Sequence, residues 1–380
     1  MSIDLNSEEQ AVIDQIERFS NEVLAPAAAA IDAKGQFATL HRAALAEMGI
    51  TGMNLPETYG GIGLSGPALY CAVEAVAGAC GSTASMLTAH FLATDSLLLG
   101  AGETLKRRFL PAAAAGEALG AFALTEPMAG SNPADMRSTA TATGDGDGYR
   151  LKGSKCFISN AGDADFIVVY AKTDSTAGAR GVSAFVLEPA KTDGVEIGKR
   201  EETMGLRGGH VFPISFDCRV PAENRLGDEG TGFRTAMKVL DNGRIEVAAQ
   251  ATGIARAALG AAVSYAKERE VGGRPIGSFQ GPQWMLADSA TELAAARALG
   301  LQAARKRGTG ERYSTDSAFA KLYASEAAWR ITDRALQIHG GYGYTRDFPL
   351  ERYLRDLRIF RIYEGSSEIQ RTIIAREMLS

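Results

Sequence analysis

The strongest constraint on this chain is the helical pattern that runs from about Gly230 to the C-terminus. Phe233 to Arg269 contains no proline and only two glycines beyond Arg244, so it predicts one long helix. A second run, Gln280 to Arg307, stops at Gly308. A third, Ser317 to His339, stops at Gly340-Gly341. Shorter helical segments follow near Leu350 and from Ser367 to Met378. Long helices joined by short loops bury their apolar stripes against one another, so residues 230–380 are expected to form an antiparallel four-helix bundle.

Upstream the pattern changes twice. Residues 1–119 read as a helical domain. Ser7 followed by Gln10 fits a capping box, with Val12, Ile13, Ile16, Phe19 and Val23 on one helical face and Pro26 ending or kinking the helix. Leu40 to Met48 reads as a second amphipathic segment. Pro67–Ala79 and Ser82–Leu99 are apolar on most sides, which predicts buried helices. Residues 120–229 read as β structure. The run Gly144 to Gly148 is a turn signal, followed by short β-branched and aromatic runs at Tyr149–Ile158, Phe166–Lys172, Ser183–Glu188, Val195–Ile197 and Val211–Phe216. Without alternating helices this predicts an antiparallel β domain, not a dinucleotide-binding sheet. The expected architecture is therefore multidomain α and β: helical, then β, then helical bundle.

Charge and composition exclude several function classes. A net charge of −5 without a basic cluster argues against nucleic-acid binding. No apolar run reaches membrane-span length, and the first ten residues lack a secretory pattern, so a cytoplasmic protein with no membrane partner is expected. The cysteines Cys71, Cys80, Cys156 and Cys218 have no paired spacing, and the four histidines build no metal cage.

Four segments gather residues with chemistry to offer. Leu124 to Asn132 joins hydroxyls to glycine-freed backbone N–H groups. It either grips a phosphate or polar ring edge, or is an interdomain loop. Lys155 to Asn160 sets Phe157 and Ser159 two apart on one strand face, either to stack on a flat ring and bond its edge or as ordinary core. Gln337 to Tyr344 is glycine-rich after a helix, which allows close approach of a ligand or subunit, or simply stops the helix. Arg361 to Gln370 places Glu364 among Ile359, Phe360, Ile362 and Tyr363. It is either a desolvated general base or a solvated carboxylate near a helix N-terminus. Outside these segments, Arg244 either holds an anionic ligand or makes a surface ion pair. His90 lines a pocket or is a satisfied buried side chain, and His210 reads as exposed.

Taken together and in this order, the segments resemble the acyl-CoA dehydrogenase family of flavoproteins over essentially the whole chain. The resemblance implies FAD bound between the β domain and the bundle. Phe122, Leu124, Thr125, Gly130 and Ser131 would lie along the flavin and its pyrophosphate, and Phe157 and Ser159 beside the isoalloxazine. Arg269, Gln280, Gln337, Gly340 and Gly341 match contacts made to a neighbouring subunit's flavin, and Ser366 and Glu368 match positions at the adenine end. A homo-oligomer follows, most often a tetramer built as a dimer of dimers.

The implied activity, in fatty acid metabolism, is conversion of an acyl-CoA to its trans-2-enoyl thioester. Glu364 would remove the α proton, flavin N5 would take the β hydride, and an electron-transfer flavoprotein would collect the electrons. Some branches carry the base on the long helix just before the residue matching Arg244. That position here is Gly243, so the role falls to Glu364. Ser131, Arg244, Tyr363 and Gly365 are the implied substrate contacts. The acyl pocket is expected to be lined by Thr83, Met86, Leu87 and His90, with Met86 and His90 bulky enough to favour a short or branched chain. The sequence departs from the family pattern at Asn132, Gly272 and Gly208 to Val211. A carrier-protein-bound thioester, a non-oxidative flavin-dependent lyase of the same fold, and a flavin-free binding protein are the alternatives.

Overall fold

The computed structural model describes residues 5–144 and 146–379. Residues 1–4, and Asp145 of the expected turn, lie outside that range. The helical domain opens with α1 (Ser7–Phe19). Its capping box is Asn6 with Glu9, one residue earlier than the Ser7/Gln10 pairing expected from the sequence. Glu9 also accepts from the backbone N–H of Ser65, a long-range contact that selects this register. A π-helical turn (Ser20–Leu24) leads into α2 (Ala25–Lys34), where Pro26 sits in the first turn. The backbone stays helical through both junctions, so the proline's missing N–H falls within a continuous helical run, directly after a π turn in which Ala25 N–H reaches back to Ser20 O. Next come the short α3 (Arg42–Glu47), α4 (Gly66–Ala79), α5 (Gly81–Gly100) and α6 (Glu103–Ala114).

The β domain is an eight-stranded sheet in the order β6-β7-β3-β2-β4-β5-β8, with β1 also on β4. Its strands are β1 (Gly120–Ala123), β2 (Thr139–Ala142), β3 (Gly148–Ser159), β4 (Phe166–Lys172), β5 (Val182–Leu187), β6 (Val195–Ile197), β7 (Val211–Pro221) and β8 (Arg225–Leu226). The sheet is mixed and not purely antiparallel, because β1 pairs parallel with β4. The long excursion through β2 and β3 supplies the crossover that a parallel pair requires. Both faces of β4 are buried. Phe166, Val168 and Tyr170 pack with Leu97, Leu105 and Phe109 of α5 and α6, while Ile167, Val169 and Ala171 face Tyr149, Leu151 and Phe185 across the sheet. That two-sided burial explains why β4 reads as a continuous apolar run.

The bundle consists of α7 (Gly232–Glu268), a small hairpin of β9 (Glu270–Val271) and β10 (Arg274–Pro275), α8 (Gln280–Lys306), α9 (Ser314–His339), α10 (Leu350–Leu357) and α11 (Ser367–Met378). Helix α5 lies between the β domain and the bundle and is buried from Gly81 to Leu97. This is why it is apolar all round. Helices α4 and α7 cross where Gly78 and Gly253 let their backbones touch. A Cβ on Gly78 would come within 3.0 Å of Gly253 O, and one on Gly253 would overlap Glu74 O. Beside this crossing Tyr70 Oη meets Thr252 Oγ1 at 2.9 Å, and Glu74 pairs with Arg297 of α8 at 2.9 Å.

This crossing predicts opposite outcomes for two glycines of α7. Gly253→Ala should cost about 1–3 kcal/mol in urea unfolding. Gly260→Ala, where a Cβ meets nothing, should be neutral or stabilising by up to about 1 kcal/mol. Equal urea midpoints for the two variants would contradict the packing described.

Candidate active site

The inner end of the β domain, α5, α7 and residues 363–376 enclose a cavity of about 640 Å³. On the β side it is walled by Phe122, Leu124, Thr125, Gly130, Ser131, Phe157 and Ser159. The loop after β1 is fixed from behind by a buried ion pair. Lys155 Nζ donates to Glu126 Oε1 at 2.8 Å and to Leu124 O at 3.1 Å, and Glu126 accepts from the N–H groups of Arg137 and Ser138. Burial lowers the Lys155 pKa to about 8, and the Glu126 charge opposes the fall. Strand β3 bulges just beyond this pair, between Lys155 and Ile158. Phe157 there adopts a left-handed backbone (φ 58°) with its side chain 67% exposed at the cavity wall. An apolar ring held open in a strained conformation is a mark of a binding surface. Asn160, also left-handed, ties the strand end to α5 through Met86 O (2.9 Å) and to β1 through Gly120 O (3.3 Å).

The α5 wall differs from the expectation. Ser85, Thr88, Ala89 and Leu92, spaced as one helical face, line the cavity. Met86 and His90 do not line it, and neither do Thr83 and Leu87. Met86 sits in the core cluster, and His90 is wedged against β1, accepting from Gly120 N–H at 2.9 Å. Burial brings the His90 pKa down to about 4. The steric argument for chain length drawn from Met86 and His90 therefore falls. The cavity-facing stripe was present in the sequence, but α5 is apolar on every side and so gave no moment by which to orient it. His210 also departs from the reading. It is half-buried, stacked on Phe37, and accompanies Arg200 at Gly35 O.

The opposite wall carries Tyr363, Glu364, Gly365 and Arg244. Glu364 and Gly365 are both left-handed (φ 52° and 86°). Arg244 is buried, pairs with Asp241 at 2.7 Å, and donates from Nε to Glu364 O at 3.3 Å. Glu364 Oε2 is sealed from solvent and has no hydrogen-bond partner. Desolvation raises the Glu364 pKa to about 7, against the pull of Lys321 and Arg244. The carboxylate fills the place of a side chain at 243, since a Cβ on Gly243 would overlap Glu364 Oε2.

The other expected site residues are not brought into this cavity. Arg269, Gly340 and Gly341 line a separate surface depression with Tyr265 and Tyr342 at the far end of the bundle. Gln280 and Gln337 are exposed at the start of α8 and near the end of α9. Ser366 is the N-cap residue of α11, and Glu368 is exposed in its first turn. Sequence reasoning did not single out Ser85, Thr88, Ala89, Leu92, Phe233, Met237, Leu240 or Ile369, all of which line the cavity. Nor did it find the Lys155–Glu126 support, whose signal is only one glutamate inside the first segment and one lysine at the start of the second. Among the described residues no group of His, Cys, Asp or Glu is arranged to hold a metal ion, and no helix is long and apolar enough to cross a membrane.

The walls suit a flat, polar-edged cofactor with phosphates. Phe157 offers a ring face and Gly130 open backbone, and Thr125, Ser131 and Ser159 offer hydroxyls that form no other hydrogen bond among the described residues. Family models agree along the chain: the acyl-CoA dehydrogenase N-terminal domain matches residues 6–117, the middle domain 121–218 and the C-terminal domain 230–379. The chain belongs to the acyl-CoA dehydrogenase family. It is thus an enzyme, an oxidoreductase of the acyl-CoA dehydrogenase type. A relative named acryloyl-CoA reductase (NADH), from Anaerotignum propionicum, is 43% identical over 100% of this chain and 96% of its own length. The solved butyryl-CoA dehydrogenase from Megasphaera elsdenii superposes with a TM-score of 0.96 at 40% identity, covering 100% of both chains. A structure described as the electron transferring flavoprotein of Acidaminococcus fermentans gives a TM-score of 0.96 at 42% identity, again covering 100% of both.

The buried carboxylate has a consequence for stability. Its folded pKa of about 7 exceeds the ordinary value of 4.5, so the native state holds a proton that the unfolded state has lost. Stability contributed by the neutral acid is therefore present at low pH and lost as pH rises through this window. Glu364→Gln removes that loss. Its gain in Tm over the parent should grow between about pH 5 and pH 8, and a gain flat across that range would contradict the assignment.

Proposed function

We propose that this enzyme binds FAD in the cavity and α,β-dehydrogenates a short-chain acyl-CoA thioester, with Glu364 as the base. The observation that carries the reading is that Glu364 lines the same cavity as Phe157, Thr125, Ser131 and Ser159 while its Oε2, packed against Gly243, has no hydrogen-bond partner. Phe122, Leu124, Gly130 and these residues would hold the flavin, which when bound supplies the hydride acceptor.

The chain's own residues do the rest. An α proton beside a thioester is weakly acidic, so its removal needs both a strong base and stabilisation of the enolate oxygen. Desolvation supplies the first by raising the Glu364 pKa to about 7. For the second, the Glu364 N–H donates to no carbonyl of the described chain and is available to the thioester oxygen. Arg244 holds the Glu364 carbonyl and thereby the direction of the peptide. Leu92, Ala89 and Tyr363 exclude water from the acyl chain. The preference for short chains is supported by relatives named for short-chain substrates at 41% identity. Arg269, Gln280, Gln337, Gly340 and Gly341 form the exposed end through which a second copy would complete the flavin site. Ser366 and Glu368 are proposed for its adenine end. The proposal includes a homotetramer, a cytoplasmic setting and an electron-transfer flavoprotein as acceptor.

A second direction of use is favoured by the acryloyl-CoA reductase likeness. The same carboxyl, protonated, would return a proton to the α carbon of a 2-enoyl thioester, since an acid in one direction is the base in the other, and the β carbon would take its hydride from the reduced form of the bound cofactor.

Anaerobic titration of the purified enzyme with acyl-CoAs should bleach its flavin absorbance, most strongly with short chains. A profile peaking beyond about twelve carbons would contradict the assignment. Glu364→Gln should retain flavin and thioester binding while turnover falls by roughly 10³-fold or more. Because only the ionised base is active, parent kcat/KM should rise with pH and level off above about 7. Gly243→Ala should depress turnover by roughly 10²-fold at unchanged flavin content, by displacing the carboxylate. Parent-like rates in Glu364→Gln would remove this residue from the mechanism.

A further inference from the structure

Behind the Glu364 loop lies a lysine that nothing above uses. Lys321, in the middle of α9, is 0% exposed. Its single hydrogen bond among the described residues runs from Nζ to Gly365 O at 2.6 Å, and it forms no ion pair. A buried ammonium with no carboxylate in contact is costly unless its charge acts elsewhere. The charged groups that face it are few: Glu364 ahead of it, Arg244 on α7, Glu326 on its own helix and Glu368 on α11. Glu326 is engaged by Arg361 and Ser367, and Arg244 by Asp241. Of these carboxylates only Glu364 has a buried oxygen without a hydrogen-bond partner.

The carbonyls of the loop converge on the same place. Gly365 O accepts from Lys321 and from Gln370 Nε2 (2.8 Å), and Glu364 O accepts from Gln370 Nε2 (3.2 Å) and Arg244 Nε (3.3 Å). Two successive left-handed residues, one of them a glutamate, persist only where the surroundings over-determine them. With both carbonyls drawn into the bundle, the Glu364 side chain projects to the cavity.

We propose that Lys321 is the positioning residue of the Glu364 base: its ammonium fixes the Glu364-Gly365 turn, and its charge favours the ionised form of the desolvated carboxylate. The proposal rests on the reading of Glu364 as the base. Lys321 touches neither substrate nor flavin in this scheme and acts through Glu364. The direction of both titrations agrees, since burial lowers the Lys321 pKa to about 8 and Glu364 opposes that fall, while Lys321 opposes the rise at Glu364.

The test uses the flavin-loaded enzyme and two readouts. One is the acid limb of kcat/KM. The other is the pH at which the Glu364 carboxyl stretch disappears, isolated as the infrared difference between each protein and its Glu364→Gln counterpart. In Lys321→Met, which lacks charge and donor, both midpoints should move upward by about 1 unit or more at parent flavin content. Lys321→Gln retains a donor but not the charge, and should show the same shift if the Met variant does not fold. Lys321→Arg should return both midpoints toward the parent values. Unmoved midpoints in the neutral variants would overturn the proposal, as would failure of both to fold, which would make the role structural. Normal turnover in Glu364→Gln would instead defeat the base reading, while the infrared midpoint would still report whether Lys321 controls this carboxyl.

Discussion

The Glu364 carboxylate occupies space that any side chain at position 243 would need, and the rest of the site is arranged around that exclusion. Helix α7 presents bare backbone there because Gly243 has no Cβ. The segment after α10 can therefore lay its left-handed Glu364-Gly365 turn against the helix. Arg244, the next residue of α7, grips the turn it admits. One position thus provides the room and its neighbour the anchor, which makes the acid at 364 and the glycine at 243 a single structural choice. Desolvation follows from the same closeness and turns an ordinary glutamate into a group titrating near neutrality.

Such a site needs rigid walls, and buried polar contacts supply them. Asp95 of α5 accepts from Asn54 and Asn242 and pairs with Arg307 at 3.0 Å. Arg307 also pairs with Glu246 of α7 at 2.8 Å, and Tyr313 donates to Asn242. This network ties the helix beneath the cavity to the bundle. On the other side the Lys155–Glu126 pair fixes the loop and bulge that present Thr125 and Phe157. Buried ion pairs are poor sources of net stability. Their value here is in fixing directions, because each links two elements that meet at the cavity.

Much of this was legible in the sequence because it is written in periodicity and punctuation. Helix α8 starts at Gln280 and α9 ends at His339 as the runs and their stops indicated, and β4 and β6 have the bounds of their apolar runs. What failed was information that only packing supplies. The capping box slipped by one residue because Glu9 was chosen by Ser65, distant in sequence. The parallel β1–β4 pairing depends on topology, not pattern. Met86 and His90 were assigned to the wrong face because a helix buried on all sides has no amphipathic moment. The motif residues fared differently by segment. Those near 125, 157 and 364 converge on one cavity, whereas those at 269, 280, 337 and 340 lie on another surface of the same chain. Lys321 carried no local signal at all, since a lysine in the middle of a helix ordinarily points to water.

The central claim is that a buried carboxylate at position 364 removes the α proton of a bound thioester. Its most direct test is α-proton exchange in D2O with an acyl-CoA that lacks β hydrogens and so cannot be oxidised, followed by mass spectrometry. The account predicts deuterium at the α carbon with the parent enzyme and none above background with Glu364→Gln. Equal exchange in the two proteins, or none in either with the ligand bound, would contradict it.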